Sequence, residues 1–186
     1  KEKMTISSKE EMEKIEKDLK GAAYQVTDVK KGERVKKAPL PFTTSTLQQE
    51  ASKVLNFSTQ KTMRIAQQLY EGVDVDGRGT IGVITYLRTD STRVADEAKE
   101  ASEQYIAANY DEKYLPHSGL RKKDDKKIQD AHEAIRPTDI ALTPVMIKDS
   151  LSRDQFRLYQ LIWKRFTASQ MAEAIYETTS VKIAAG

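Results

Sequence analysis

Hydrophobic positions recur every three or four residues in several stretches of the chain, which is the spacing of one helical face. This pattern predicts helices over about residues 8–20, 44–55, 58–70, 94–109 and 152–171. Three of these helices begin with a serine suited to cap the first turn: Ser8 (or Ser7), Ser58 and Ser152. The third helix is expected to bury one face, formed by Met63, Ala66, Leu69 and Tyr70.

Alternating apolar and polar positions predict a strand near each end of the chain, over residues 22–31 and 174–185. A short β-rich run, residues 81–86, lies between the helices. The two end strands could pair in one sheet, with the helical body inserted between them. The chain is therefore predicted to form two structural units, one of them discontinuous.

The segments between these elements are rich in glycine, proline and charged residues, which are typical of turns and loops. Residues 30–41 are basic and end in Pro-Leu-Pro, so we expect a linker there. Residues 72–82 contain four glycines and are predicted to form a loop. Residues 111–130 are polar and predict a flexible loop, and residues 131–136 predict a short turn or helix that stops at Pro137.

Composition excludes several classes of protein. The chain has 186 residues, of which 38% are hydrophobic and 32% charged, which is too polar for a membrane protein and too apolar for full disorder. It has no cysteine, so disulfides, thiolate metal sites and cysteine nucleophiles are excluded, and with two histidines a histidine-rich metal site is not favoured. The net charge of +3 says little by itself. Both ends are expected to be cut from something larger.

One segment, residues 82–91 (GVITYLRTDS), combines a tyrosine with an arginine, an aspartate and several hydroxyls. Alternate residues of a strand share a face, so Tyr86, Arg88 and Asp90 would point the same way if the extended form persists. A phenol beside a guanidinium suits attack on a phosphodiester, because the guanidinium can bind the phosphate and stabilise its developing charge. The product would be a phosphotyrosine ester.

A tyrosine is a suitable nucleophile for a reversible strand break. Ionising a phenol at pH 7 costs roughly 4 kcal/mol, but phenolate leaves far more readily than a serine alkoxide, so a sugar hydroxyl can displace it and reseal the strand. The alternative is a structural tyrosine on a surface strand. From these residues alone that alternative is the more common case, since the chain has eight tyrosines.

A second segment, residues 131–138 (AHEAIRPT), holds His132 and Arg136 four positions apart. One helical turn would place both side chains on the same face, as a cationic pair suited to a phosphate. The alternative is the end of a helix whose charged side chains are solvated. For this segment alone, that alternative is the more common case. A His-Glu pair with no second histidine downstream is not a zinc motif.

Taken together, these segments resemble the signatures of type IA DNA topoisomerases, in particular the bacterial topoisomerase I branch. The resemblance extends over about residues 8–185, with several segments in matching order. The matching segments are 85–91 (TYLRTDS), 131–138 (AHEAIRPT), 41–49 (PFTTSTLQQ), 61–63 (KTM) with Ala66 and Gln67, and 158–163 (LYQLIW).

The resemblance implies an α+β, mostly α fold. Family members form a torus of four domains. Residues 37–173 are similar to the helical domain that bears the tyrosine and lifts away as a gate, and residues 1–36 and 174–186 are similar to parts of the β-rich arch that supports it. On this reading, the helical gate domain is inserted into part of the arch.

The resemblance also implies a cofactor that this chain does not bind. In the family, a Toprim domain binds Mg²⁺ through an acidic cluster and supplies a glutamate and a lysine beside the tyrosine. No such cluster occurs in this sequence. Asp74 and Asp76 have the D-x-D spacing, but they lie in the glycine-rich segment and are interpreted as part of a turn rather than as metal ligands. No metal ligands are therefore predicted here, and the chain alone is expected not to relax supercoiled DNA.

Family roles carry over by position. Tyr86 is expected to be the nucleophile and Arg88 its phosphate-binding neighbour, with Thr85, Asp90 and His132 around the site. Arg136 is expected either to bind DNA or only to brace the loop. The implied partners are single-stranded or underwound duplex DNA and the other domains of the same protein, with no membrane. The implied location is the cytoplasm, at the nucleoid.

Three alternatives remain at this point. Topoisomerase III and reverse gyrase share the tyrosine motif, although residues 42–49 and 158–163 favour topoisomerase I. A non-catalytic module that binds single-stranded DNA could also keep the same fold. The combination of Tyr86, Arg88 and His132 favours the enzyme, because such a module could have lost any of them.

Overall fold

The computed structural model describes residues 4–116 and 132–185. The chain divides into two compact units. The end-strand unit comprises Lys1–Lys36 and Ile175–Gly186, and the helical unit comprises Lys37–Ala174. Most of the polar loop predicted over residues 111–130 lies outside the described residues. None of the described helices is long and apolar enough to cross a membrane.

The end-strand unit contains one helix and a two-stranded sheet. Helix α1 (Lys9–Lys20) begins at Ser8, whose hydroxyl accepts a hydrogen bond from the Glu11 amide, as the capping pattern predicts. Strand β1 (Tyr24–Lys36) pairs with the strand formed by Ala174–Ala185, so the predicted pairing of the end strands is confirmed. The predicted linker over residues 30–41 is wrong in its first half, because β1 continues to Lys36 along its partner strand.

The helical unit begins with two helices that pack together. Helix α2 (Thr44–Glu50) continues into a π-helical turn (Ala51–Leu55) that ends at Asn56, a residue with left-handed backbone conformation. Helix α3 (Thr59–Glu71) starts at Ser58, whose hydroxyl accepts from the Lys61 amide. The predicted bounds of both helices are confirmed to within a few residues. Tyr70 is an exception to the predicted buried face of α3, because 39% of its surface is exposed.

Beyond α3, a hairpin replaces the predicted glycine-rich loop. Strand β2 (Val73–Val75) pairs antiparallel with β3 (Gly79–Ile81), and the turn between them uses Gly77, with φ near +72°. Val73 and Val75 reach the core, which explains why this short segment is ordered as a hairpin. The glycines supply the positive φ angles that other residues adopt at a cost.

Helix α4 and helix α5 complete the unit. Helix α4 runs over Asp96–Asn109, followed by a 3₁₀ turn (Glu112–Tyr114). A second 3₁₀ turn (Lys148–Ser150) precedes α5 (Arg153–Ser169), where the predicted cap Ser152 forms a capping box with Gln155. The last element is β4, the Ala174–Ala185 strand already described.

Helix α5 forms the centre of the core. Its buried face packs with α2, α3 and the hairpin around one apolar cluster; the α5 members are Leu158, Tyr159, Ile162, Trp163 and Phe166. The Tyr159 hydroxyl and the Trp163 indole N–H both hydrogen-bond to carbonyls of the loop that precedes α5. Tyr159 donates to the Leu142 carbonyl at 2.7 Å, and the Trp163 indole donates to the Ile140 carbonyl at 2.9 Å. The predicted α+β, mostly helical class is confirmed.

Candidate active site

Two extended segments of the helical unit, residues 82–86 and 132–138, lie side by side. The Thr85 amide donates to the Arg136 carbonyl at 2.9 Å, and the Thr138 amide donates to the Val83 carbonyl at 3.0 Å. The Thr85 hydroxyl donates to the Ala134 carbonyl at 2.7 Å and accepts from the Arg136 amide at 3.0 Å. The fold thus brings together the two segments that the sequence singled out.

Both segments depart from their predicted secondary structure. Residues 81–86 form no continuous strand beyond Ile81, because only an isolated bridge from Ile84 to Pro137 is present. Residues 132–136 are extended rather than helical, so the predicted helical turn with His132 and Arg136 on one face is wrong. The physical reason is Pro137, whose ring disfavours helical backbone at the residue before it.

Tyr86 lies at the surface with its ring between two other rings. The exposed fraction of Tyr86 is 43%. The Tyr70 ring meets it edge to face, with centroids 5.4 Å apart, and the His132 ring stacks on it at 6.1 Å and an interplanar angle of 26°. The Tyr86 hydroxyl makes no hydrogen bond with any other residue that the structure describes.

Residues 86–91 alternate between solvent and the interior, although they form no strand. Leu87, Thr89 and Ser91 are buried, whereas Tyr86, Arg88 and Asp90 are exposed. The predicted common orientation of these three side chains therefore agrees with their pattern of exposure. Within the described part of the chain, neither Arg88 nor Asp90 has a hydrogen bond or an ion pair.

Thr44, the first residue of α2, holds this segment in place. Its hydroxyl donates to the Leu87 carbonyl at 2.7 Å and accepts from the Thr89 amide at 2.9 Å. The Thr44 amide also donates to the Thr89 carbonyl at 2.9 Å. These bonds fix the backbone on both sides of Arg88, so the exposed guanidinium projects from a constrained position.

Arg136 is largely buried, in contrast to Arg88. Its side chain is 12% exposed, its Nε donates to Glu133 at 2.9 Å, and its Nη1 donates to the Pro137 carbonyl at 2.9 Å. Glu133 also accepts from the Ala95 amide, just before α4. Burial raises the pKa of the Glu133 carboxyl, but the bonds from Arg136 and Ala95 outweigh it and lower the pKa overall. These contacts brace the segment that carries His132.

The described residues do not fit a magnesium site. They contain no group of three or more histidine, cysteine, aspartate or glutamate side chains that could hold a metal. Asp74 and Asp76 lie on or beside the hairpin, where the Asp76 amide donates to the Ser150 hydroxyl at 3.3 Å. The predicted turn is therefore correct for Asp76 but wrong for Asp74, which lies in β2 and pairs with Thr80.

Three residues at this site were not recognised as site residues from the sequence. Thr44 belongs to a matching segment, but nothing in its pattern indicated which backbone it would hold. Tyr70 was placed on the buried face of α3 by its spacing, and Glu133 was considered only as part of a zinc motif. Thr44 and Tyr70 acquire their roles through residues more than 15 positions away, and Glu133 joins its neighbour Arg136 to the distant Ala95 amide; spacing does not reveal such contacts.

Comparison with known proteins identifies the family. A family profile described as DNA topoisomerase matches residues 1–186. The solved structure of full-length topoisomerase I from Thermotoga maritima, in its monoclinic crystal form, is 44% identical in sequence, with a TM-score of 0.79. The match covers 97% of this chain and 28% of that chain, so this chain spans less than a third of the T. maritima protein. The chain belongs to the bacterial type IA DNA topoisomerases.

Proposed function

We propose that this chain carries the nucleophile of a topoisomerase I, and that the nucleophile is Tyr86. The observation that carries the proposal is the half-exposed Tyr86, whose ring stacks against His132 within a surface segment that also exposes Arg88 and Asp90. Among the described residues the hydroxyl has no hydrogen-bond partner, as suits a group whose oxygen must reach a phosphate.

The proposed reaction is a transesterification of one DNA strand. The Tyr86 oxygen bonds to phosphorus while the bond from phosphorus to the 3′ oxygen breaks, which leaves a free 3′ hydroxyl and a 5′-phosphotyrosine ester. The reverse attack by the 3′ hydroxyl reseals the strand and releases the tyrosine. Because phosphotyrosine keeps the energy of the original ester, no ATP is required.

The neighbouring side chains have distinct proposed roles. Arg88 binds the phosphate and stabilises the charge that develops on its oxygens, which a planar guanidinium can do with two parallel hydrogen bonds. His132 contacts a phosphate or transfers protons near the cleaved bond, and its ring contact with Tyr86 supports this role. Asp90 borders the site, and Thr85 links its two segments.

Arg136 is a poorer candidate for DNA binding than its sequence position implies. Its guanidinium already pairs with Glu133 and bonds the Pro137 carbonyl. Binding a phosphate would require it to give up one of these partners. We therefore assign it to bracing the His132 segment.

The chain is proposed to act within a larger enzyme. Residues 37–173 would form the gate domain, and residues 1–36 and 174–186 would form parts of the arch. Mg²⁺ would be bound by a Toprim domain elsewhere in the enzyme, since the described residues offer no suitable cluster. Relaxation of negative supercoils, binding of single-stranded or underwound DNA, and a cytoplasmic location at the nucleoid are part of the same proposal.

A non-catalytic module that binds single-stranded DNA is the second candidate. The exposed Arg88, outside any ion pair of the described residues, favours it, because a phosphate contact needs no complete active site. Such a module would bind DNA but form no covalent complex. Topoisomerase III and reverse gyrase would share the covalent step and differ in the rest of the enzyme.

The test is to trap a covalent complex between the complete enzyme and a labelled single-stranded oligonucleotide. Tyr86→Phe keeps the ring but removes the attacking oxygen, so it should abolish the complex and leave DNA binding largely intact. Tyr110→Phe, at another half-exposed tyrosine of the helical unit, is the matched control and should behave like the wild type. Labelled DNA trapped on the Tyr86→Phe protein would eliminate Tyr86 as the nucleophile.

A further inference from the structure

We infer that Tyr70 is a positioning residue that holds the Tyr86 ring in its reactive orientation. The inference rests on the proposed role of Tyr86 as nucleophile. Tyr70 occupies the last turn of α3, and its ring meets that of Tyr86 edge to face, with centroids 5.4 Å apart and an interplanar angle of 65°. This is a favoured arrangement of two aromatic rings.

The backbone fixes the distance between the two rings. The Val83 amide donates to the Leu69 carbonyl at 2.9 Å, which ties the Tyr86 segment to the end of α3. Gly82 packs so closely on the Tyr70 carbonyl that a Cβ at position 82 would lie well under 3.0 Å from that oxygen. Tyr70 and Tyr86 are thereby anchored to one another through their backbones as well as through their rings.

Tyr70 contributes to this arrangement by its ring rather than by its hydroxyl. In the described part of the chain the Tyr70 hydroxyl makes no hydrogen bond, so phenylalanine should replace tyrosine without loss. With 39% of its surface exposed, Tyr70 lies outside the apolar core cluster. A structural role in the core therefore does not account for its place beside Tyr86.

Ring orientation matters because the nucleophile must meet phosphorus in line with the leaving oxygen. The Tyr86 ring has ring contacts with Tyr70 and His132 only, among the described residues. Removal of Tyr70 would let the side chain of Tyr86 sample other rotamers, and so reduce the fraction of enzyme poised for attack. The rate of cleavage should fall, whereas DNA affinity should not.

The experiment uses the complete enzyme and a labelled single-stranded oligonucleotide, and measures the dissociation constant and the single-turnover rate of covalent-complex formation. Tyr70→Ala should slow the rate roughly 2- to 12-fold, the rate ratio that corresponds to one edge-to-face ring pair. Tyr70→Phe should restore the wild-type rate. Tyr110→Ala is the matched control, because Tyr110 is also half-exposed and meets Tyr105 edge to face at 6.4 Å.

Three results would overturn the inference: equal rates for Tyr70→Ala and Tyr110→Ala, a Tyr70→Phe protein as slow as Tyr70→Ala, or a slower rate explained fully by weaker DNA binding. The second would indicate a role for the hydroxyl, and the third a DNA contact. Failure of the proposed function is distinguishable, because the wild-type enzyme would then form no covalent complex through Tyr86. Thermal melting of each variant verifies that all are folded.

Discussion

Substitution of Gly82 by alanine should destabilise the helical unit, because the new Cβ would meet the Tyr70 carbonyl oxygen well under 3.0 Å. The obstacle is helix backbone, so the 82–86 segment itself must move. Overpacking of this kind destabilises the folded state by about 1–3 kcal/mol. Alanine also reduces the conformational freedom of the unfolded chain, which stabilises the fold by about 0.4–1 kcal/mol because Gly82 is not at positive φ. The net loss in the free energy of unfolding is then about 0–2.6 kcal/mol, and about 1.3 kcal/mol at the middle of both ranges.

The assay is thermal unfolding followed by the fluorescence of Trp163, the single tryptophan of the chain, which is buried in the helical unit. At that middle value the midpoint should fall by about 3–10 °C. Gly21→Ala is the control: a Cβ at Gly21 meets nothing within 4 Å, and its φ of −102° suits alanine. It should leave the Trp163 transition unchanged. A Gly82→Ala midpoint equal to that of the wild type would refute the close packing of this segment against α3.

The remaining predictions concern the side chains around Tyr86. Arg88→Lys in the complete enzyme should lower the cleavage rate on the order of 10²–10³-fold with little effect on DNA affinity, and an unchanged rate would show that only charge matters. His132→Ala should slow cleavage and change its pH profile between about pH 5 and 8, and an unchanged profile would restrict His132 to packing or docking. Glu133→Gln should lower the free energy of unfolding at pH 7; because the folded pKa of Glu133 is lowered, this difference should shrink as pH falls below the ordinary glutamate pKa of about 4.3. If the difference in the free energy of unfolding between the wild type and Glu133→Gln did not depend on pH, the Glu133–Arg136 pairing would not be its cause.

Elements with strong local signals were predictable from the sequence. Ser58 and Ser152 cap α3 and α5 where the pattern placed them, and the apolar face of α5 is the centre of the core. Strand β4 (Ala174–Ala185) also has the bounds that the pattern predicted. In each case the local propensity and the long-range contacts, whether core packing or strand pairing, favour the same structure.

Elements that depend on a distant partner were not predictable in this way. Strand β1 extends to Lys36 through basic residues because β4 pairs with it, a contact that local composition does not reveal. Residues 132–136 are extended because they lie beside residues 82–86, and Pro137 reinforces this backbone. The hairpin was not predicted because its two strands are short and the four glycines of residues 72–82 are typical of a loop.

The residues of the candidate site also differ in whether local sequence or a partner in the folded chain reveals their role. Tyr86 and Arg88 could be singled out because their residue types suit phosphodiester chemistry and because the motif resembles a known family. The contributions of Thr44, Tyr70 and Glu133 depend on which backbone or ring each one meets, and these partners become visible only in the folded chain.

We predict that Tyr86, and no other tyrosine of this chain, becomes covalently linked to DNA. The most direct measurement traps the complete enzyme on a single-stranded oligonucleotide, digests the complex with protease, and identifies the nucleotide-bearing peptide by mass spectrometry. The chain has eight tyrosines, so the measurement discriminates among real alternatives. We predict a phosphodiester adduct on Tyr86 alone, joined to the 5′ end of the cleaved strand. An adduct on any other residue, or a wild-type enzyme that relaxes DNA without an adduct on Tyr86, would contradict the account.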